Sequence, residues 1–166
     1  MVRLSFSPDV TVAAIVERDD RFLMVDEMVS GALVLNQPAG HLEADESLFA
    51  AVVRETLEET AWHFVPQALS GIYLWRNPAN QKTFLRFAFV GRCDIHHPGR
   101  PLDEGIRRAV WMTRDEILAE SNRLRSPMVM QCIDDFYAGK RFPLSALNDM
   151  GNLSAFVGQN FEVTAI

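Results

Sequence analysis

Residues 10–17 read VTVAAIVE, an apolar, β-branched run, and after the turn-like Arg18-Asp19-Asp20 a second apolar run follows at Phe22–Val25. Two such runs across a short polar break predict a pair of strands. Beyond Gly31, Ala32–Leu35 predicts a short third strand, ended by Asn36-Gln37-Pro38-Ala39-Gly40, where proline and glycine predict a loop. Residues 47–60 then have helical character and contain neither glycine nor proline. Ala68–Trp75 and Lys82–Cys93 predict two further strands joined through residues 76–80. The second carries Phe84, Leu85, Phe87, Phe89 and Val90, and is expected to be buried on at least one face. His96–Pro101 is a loop, and Ile106–Met112 returns as a strand. Thr113, with Glu116 three residues on, predicts the capped start of a short helix over Asp115–Glu120. Ser126-Pro127 opens another helix, with proline in its first turn, that runs to about Tyr137 ahead of Gly139. From Leu144 onward the pattern is weak and no element is assigned. Strands mixed with a few helices, without an internal repeat or linker, predict one α/β sandwich.

Size agrees with that reading. A chain of 166 residues is long enough for one proper core and short for two. A single domain over residues 1–166 is therefore expected, with 145–166 as a tail of unassigned structure. Apolar stretches such as Val10–Val16 fall far short of the roughly 20 residues that span a bilayer, and MVRLSFSPDV lacks the apolar centre of a signal peptide. No membrane association and a cytoplasmic address are the expectations. Cys93 and Cys132 form no CxxC pair and are read as small buried hydrophobes. His96 and His97 have no partner at zinc spacing. The net charge of −6, from 16 basic and 22 acidic residues, disfavours nonspecific DNA or RNA binding. A small phosphorylated substrate stays open, because a divalent cation can bridge acid to phosphate.

The concentration of charge is at GHLEADESLFAAVVRETLEETAW, residues 40–62, where Glu43, Asp45, Glu46, Glu55, Glu58 and Glu59 face Arg54 alone. On a helix, Glu55, Glu58 and Glu59 share a face through their i, i+3 and i+4 spacing. Phe49, Ala50, Val53, Thr56, Leu57 and Thr60 are then expected on the opposite, core side. Like charges at these spacings cost the helix a few tenths of a kcal/mol per pair, and Arg54 cannot neutralise all three acids. Two readings compete: a solvated acidic face, and a site for a hard divalent cation. The turn at Pro38-Ala39-Gly40 can aim carbonyl oxygens at such an ion, and Glu46 stands at the helix entrance.

Gly40, five residues, Glu46, seven residues and then Arg54-Glu55-Thr56-Leu57-Glu58-Glu59-Thr60-Ala61-Trp62 resembles the Nudix box, Gx5Ex7REUxEExGU, where U is aliphatic. Gly40, Glu46, Arg54, Glu55, Glu58 and Glu59 match. Thr56, Ala61 and Trp62 depart from it, at positions that bear on packing and on how the helix ends. LNQPAGHLEADESL (35–48) and LRSPMVMQCIDDFYAGKRFPL (124–144) further resemble the NudJ-type phosphatases of that family, so that the likeness extends to about Leu144. The resemblance implies an α/β/α sandwich with a mixed sheet, the box forming a loop-helix-loop. It also implies a hydrolase that uses Mg²⁺, with Mn²⁺ as an alternative ion. By carry-over, Glu55 and Glu59 are direct ligands, Glu58 a further ligand or the base, and Gly40 or Ala39 a carbonyl ligand. Arg54 orients the acids and Glu46 supports loop and helix. Ions held there would polarise phosphoryl oxygens and activate water for attack at phosphorus. Glu104, in LDEGI (102–106), is the candidate for a base outside the box, an exposed loop acid being the alternative.

Asn36 and Gln37 beside the turn, with Trp75, Arg76, Arg86 and Phe87 on strands, are candidates for substrate contacts; core packing is the alternative for the aromatics. His41 either touches phosphate or packs the loop. The NudJ-type resemblance implies nucleoside tri- and diphosphates and hydroxymethylpyrimidine or thiamine diphosphate as substrates, with orthophosphate released. Its rivals are another Nudix specificity (ADP-ribose, a dinucleoside polyphosphate, or an RNA 5′ end bound through a basic patch such as Arg123 and Arg125) and a Nudix fold kept as a non-catalytic ligand sensor. Every box acid is present, which ranks the sensor below the enzyme. Monomer and homodimer are both open, as are a core-covering, a dimer-forming and a site-covering role for Phe156, Val157 and Phe161.

Overall fold

The computed structural model describes residues 6–150. Seven strands, β1 (Asp9–Arg18), β2 (Arg21–Val29), β3 (Ala32–Asn36), β4 (Ala39–His41), β5 (Trp62–Arg76), β6 (Thr83–His96) and β7 (Ile106–Met112), join with helices α1 (Leu48–Thr60), α2 (Arg114–Ala119) and α3 (Met128–Tyr137). The sheet runs β3-β2-β1-β6-β5, with β4 added to β1 and β7 to β2. β1 pairs parallel with β6 and every other pairing is antiparallel, so the sheet is mixed.

β1 explains the layering. Residues 11–16 are all buried, and because successive side chains of a strand point to opposite faces, this strand must be covered on both. Val12, Ala14 and Val16 pack with Ala51 and Val52 of α1 and with Phe64 and Phe89. Ala13 and Ile15 pack on the other face with Val129, Cys132 and Ile133 of α3 and Ile117 of α2. The result is the helix-sheet-helix sandwich that the alternating pattern implies. Cys93 and Cys132 are free and buried, and burial pushes their thiols up to about 12 and about 11, so neither is a nucleophile at neutral pH. No helix among the described residues is long and apolar enough to cross a membrane.

Three local features differ from the sequence reading. Residues 39–41, expected in a loop, form β4 opposite Thr11, Val12 and Ala13, because Ala14 N–H donates to the Pro38 carbonyl and Leu42 N–H to that of Val10. β5 runs through Pro66 instead of starting after it: the β5–β6 register shifts between Pro66 and Ala68, and a bulge tolerates the missing N–H. The buried stripe of α1 is Ala51, Val52, Glu55, Thr56, Glu59 and Thr60, so two of the three box glutamates lie on the inward face. Ala50 is exposed, and Phe49, Val53 and Leu57 are half-buried. The stripe escapes an apolar pattern because Thr56 and Thr60 donate their hydroxyls to the carbonyls of Val52 and Thr56, satisfying themselves inside the helix. Of the tail, Leu144–Ala146 is a short 3-10 turn; Phe156, Val157 and Phe161 lie outside the described residues.

The departures from the box motif are now explicable. Trp62 stacks on His96 with centroids 4.4 Å apart and receives the Arg18 guanidinium at 4.7 Å on its ring, a slot an aliphatic chain would not fill. Ala61 caps α1 in the left-handed region at φ 59°, its N–H donating to Leu57. A β-carbon in that conformation costs about 1–2 kcal/mol, part of which glycine would return as lost chain entropy. Ala61→Gly should therefore stabilise the fold by about 0.5–1 kcal/mol in urea unfolding, with activity unchanged.

Asp26 ties β2 to β7 and to the segment before α3. It is 3% exposed and accepts from Arg108 Nε and Arg123 Nη1, both at 2.6 Å. Burial raises its carboxyl, and the two guanidinium groups outweigh that, so it ends below its ordinary value. A carboxyl lowered on folding contributes stability that is present above its unfolded pKa, about 3.9, and is lost as pH falls through the folded value. Losing one partner of a buried ion pair costs about 3–5 kcal/mol; with Arg108 largely solvated, Asp26→Asn should cost about 2–3 kcal/mol at pH 7. It should also flatten the loss of stability below about pH 4, as read by urea titrations at stepped pH.

Candidate active site

Ser47 starts α1 by accepting the Ala50 N–H, which aims the helix at β4. The carboxylates of its buried row then meet the β4 backbone. Glu59 Oε2 accepts the Ala39 N–H at 2.8 Å. Gly40 faces Glu55 so closely that a β-carbon there would sit 2.0 Å from the carboxyl carbon; only glycine leaves room for that acid.

Arg54 binds the box together. It donates from Nε and Nη2 to Glu46 at 3.0 and 2.7 Å, from Nη1 to Glu55 at 2.9 Å and Glu58 at 3.0 Å, and from Nη2 to the His41 carbonyl at 3.0 Å. The Glu46 hydrogen bond is the largest influence holding Arg54 protonated, and the Arg54 hydrogen bond is what lowers the Glu46 carboxyl. Glu55 and Glu59 move the other way. Burial raises Glu55 against the pull of Arg54, with Glu58 and Asp103 adding like charge. Burial raises Glu59 far more, reinforced by Glu55, Glu27 and Asp103. Buried acids short of positive charge take up either a proton or a cation.

These groups line a cavity of about 400 Å³. At one end stand Gly40, Glu55, Glu58, Glu59, Asp103 and Glu104, with Glu27, Ala39, His41 and Arg54 beside them; elsewhere on its wall are Thr11, Asn36, Trp75, Phe84, Arg86, Arg125 and Ser126. Among the described residues no three acid, histidine or cysteine side chains are gathered tightly enough to enclose an ion, because Arg54 Nη1 sits between Glu55 and Glu58. The donors nonetheless suit Mg²⁺: hard carboxylate oxygens, two of them buried, in a cradle that one β-carbon would fill.

Neighbours expected together at the substrate are split: Trp75 from Arg76 and Arg86 from Phe87 by strand alternation, and Asn36 from Gln37 where the chain leaves β3. Asn36 lines the cavity, whereas Gln37 is buried and donates to the Val129 carbonyl at 2.8 Å. Trp75 lines it, whereas Arg76 lies in a separate exposed groove with Leu74 and Thr83. Arg86 lines it, whereas Phe87 packs against the α1-side core. Glu46 acts only through Arg54 and the Glu43 N–H. Arg123 is committed to Asp26 and Glu120, which dismantles the basic patch. Thr11, Glu27, Asp103 and Ser126 were missed. The charge of Asp103, and not that of Glu104, is among those acting on Glu55 and Glu59, and its N–H donates to the Glu58 carbonyl. Its signal is the DE pair at 103–104, and Glu104, the expected carboxylate from outside the box, lines the same cavity.

A NUDIX domain model matches residues 7–132, and the chain belongs to the Nudix family. It is 42% identical over 144 residues to Phosphatase NudJ of Escherichia coli K12, covering 87% of this chain and 93% of that one. A solved NUDIX hydrolase from Nitrosomonas europaea is 50% identical with a TM-score of 0.86, over 88% of this chain and 99% of its own. A UDP-X diphosphatase structure, at 18% identity and TM-score 0.68, covers 84% and 67% and shares the fold. The chain is a Nudix phosphohydrolase.

Gly40→Ala tests the cradle. The flexible end of Glu55 must give way, so the fold should survive while the acid is displaced by more than an ångström. Misplacement on that scale costs about a hundredfold in rate. Steady-state kinetics should show that loss in kcat, with the urea midpoint near wild type.

Proposed function

We propose that this protein is a Mg²⁺-dependent phosphatase of nucleoside tri- and diphosphates and of hydroxymethylpyrimidine or thiamine diphosphate, releasing orthophosphate by attack of water at phosphorus. The observation that carries the reading is the meeting of Glu55, Glu58 and Glu59 with Asp103 and Glu104 at one end of a cavity that continues to Arg86, Trp75 and Phe84. Acids at one end suit a cation-bound phosphoanhydride; aromatic rings and polar groups along the rest suit the organic part of the substrate. The identity with Phosphatase NudJ supports a phosphatase.

Glu55 and Glu59 would hold the ion, with a carbonyl of Ala39 or Gly40 completing the oxygen set. When bound, Mg²⁺ or Mn²⁺ supplies positive charge at the phosphoryl oxygens and lowers the pKa of water. Glu58, the half-buried member, reaches toward the cavity, where it serves as a further ligand or takes the proton from the attacking water. Arg54 holds Glu55 and Glu58 in place from behind, anchored by Glu46. Glu104 and Asp103 supply carboxylates from outside the box.

The protein should be incubated with Mg²⁺ and, separately, GTP, thiamine diphosphate and ADP-ribose, with products followed by phosphorus NMR. Orthophosphate from GTP and thiamine diphosphate is expected, lost with EDTA and reduced at least a thousandfold in Glu58→Gln. Pyrophosphate from GTP, or cleavage of ADP-ribose alone, overturns the substrate reading, and full activity of Glu58→Gln removes its role.

A further inference from the structure

A positive charge is buried in the cavity wall without an ion-pair partner among the described residues. Arg86 is 5% exposed, and its Nε and Nη1 have no hydrogen-bond partner in the protein. Among the described residues no carboxylate lies within ion-pair distance of it; its near neighbours are the Cys132 thiol, which it meets by a hydrogen bond, and Arg125, with the same sign of charge, while the charge of Glu59 acts on it from beyond ion-pair distance and does not offset its burial. An unpaired buried guanidinium is a costly thing to keep. The cost is general to buried ions, and what relieves it is an anion that accepts two hydrogen bonds in the plane of the fork.

Arg86 is not alone. Thr11 Oγ1, Asn36 Oδ1 and Ser126 Oγ are likewise buried and unpartnered, their residues are 4–6% exposed, and all three line the same cavity as Arg86. Buried polar atoms are nearly always paired, so four such residues around one space are the lining of a polar ligand site. Two hydroxyls and a guanidinium are donors, and Asn36 can present its NH₂ by turning its amide over.

The strand register orders this site relative to the acids. His41, Thr11, Arg86 and Tyr73 pair in one row across β4, β1, β6 and β5. The Arg86 backbone is two strand spacings, about 10 Å, from β4, the strand whose backbone meets the α1 carboxylates. Two residues further along the strands come Phe84 and Trp75, themselves paired and stacked at 5.8 Å. The sequence along the wall is thus acids, then unpartnered cation, then aromatic rings.

We propose that Arg86, with Thr11, Asn36 and Ser126, forms a phosphomonoester subsite that holds the phosphate remaining on the organic product, between the reacting phosphoryl at the acids and the ring carried by Trp75 and Phe84. This rests on the hydrolase reading for its substrate, but its binding chemistry can be tested without turnover. Arg86 is a positioning and specificity residue: it grips a phosphate that does not react, so its loss raises KM more than it lowers kcat.

Binding of GMP, thiamine monophosphate and guanosine to the full chain in EDTA should be measured by calorimetry, for wild type, Arg86→Met, Arg86→Lys and Glu58→Gln. Both monophosphates are expected to bind wild type and Glu58→Gln alike, to weaken at least tenfold in Arg86→Met, and to recover in part with Arg86→Lys. Guanosine should bind weakly and independently of Arg86. Because the free guanidinium is an unpaired burden, ligand-free Arg86→Met should melt no lower than wild type. Monophosphate binding that survives Arg86→Met overturns the proposal, as does guanosine binding that falls by the same factor, which would mark a nucleobase carbonyl site. If Arg86→Met does not fold, unweakened binding to Arg86→Lys, whose ammonium cannot form the fork, overturns it. Wild type that binds GMP through Arg86 yet turns over no diphosphate would sink the hydrolase reading and leave the subsite standing.

Discussion

The hydrogen bonds of Arg54 are the constraint on which the site rests. One guanidinium joins the loop before α1, through Glu46 and the His41 carbonyl, to the helix itself, through Glu55 and Glu58. Without it, acids on adjacent turns would repel each other, and nothing would set the loop against the helix at the point where Gly40 must clear Glu55. Arg suits this task as Lys would not, since a planar fork with several fixed donors can serve four acceptors at once. The same arrangement divides the three box glutamates. Glu55 and Glu58 share Arg54, while Glu59 is left with a single backbone N–H and the deepest burial.

On the proposed function, that division bears on how a cation would enter. Arg54 stands as the resident positive charge between Glu55 and Glu58, so an ion bound to both must displace one of its hydrogen bonds. Glu46 keeps the guanidinium in place while that happens, because it receives two donors of its own. The loop acid thus matters without facing the cavity, which is why its position in the motif is informative although its side chain lines nothing.

Much of this was legible in the residue pattern, and the failures share a cause. The strand runs, the Thr113 capping box and the box spacing all follow from local rules, and the structure keeps them. What local rules could not supply was facing. The inward stripe of α1 holds Thr56 and Thr60 as the pattern implies, but Ala51, Val52, Glu55 and Glu59 share it, so a reading that sets every acid outward turns the helix too far. Trp75 and Arg76, like Arg86 and Phe87, are neighbours in sequence that a strand must send to opposite faces, and Gln37 leaves the face of Asn36 as the chain leaves β3. Thr11 and Ser126 carried no signal at all. A hydroxyl in a strand or ahead of a helix is ordinary, and only the register of β1 against β6 and the packing of α3 bring those two to the same wall.

The two ends of the cavity are unstable for opposite reasons. Glu55 and Glu59 hold more negative charge than Arg54 can offset, and burial drives them toward protonation. Arg86 holds a positive charge with no ion-pair partner among the described residues, and burial drives its pKa down against the weaker pull of Cys132 and Glu59. No ion pair joins the two ends among the described residues, and Thr11 on β1 stands in register between His41 of β4 and Arg86 of β6. A single ligand relieves both only if it brings a cation to the first end and an anion to the second. A metal-bound diphosphate ester has that distribution: cation and reacting phosphoryl together, a second phosphate beyond, and a ring after it. Each end therefore forgoes folding free energy that the substrate restores on binding, which selects for charge order along the ligand rather than for one organic group. On the proposed function, a wall that reads phosphate order closely and the ring only by stacking would let one scaffold accept several diphosphates.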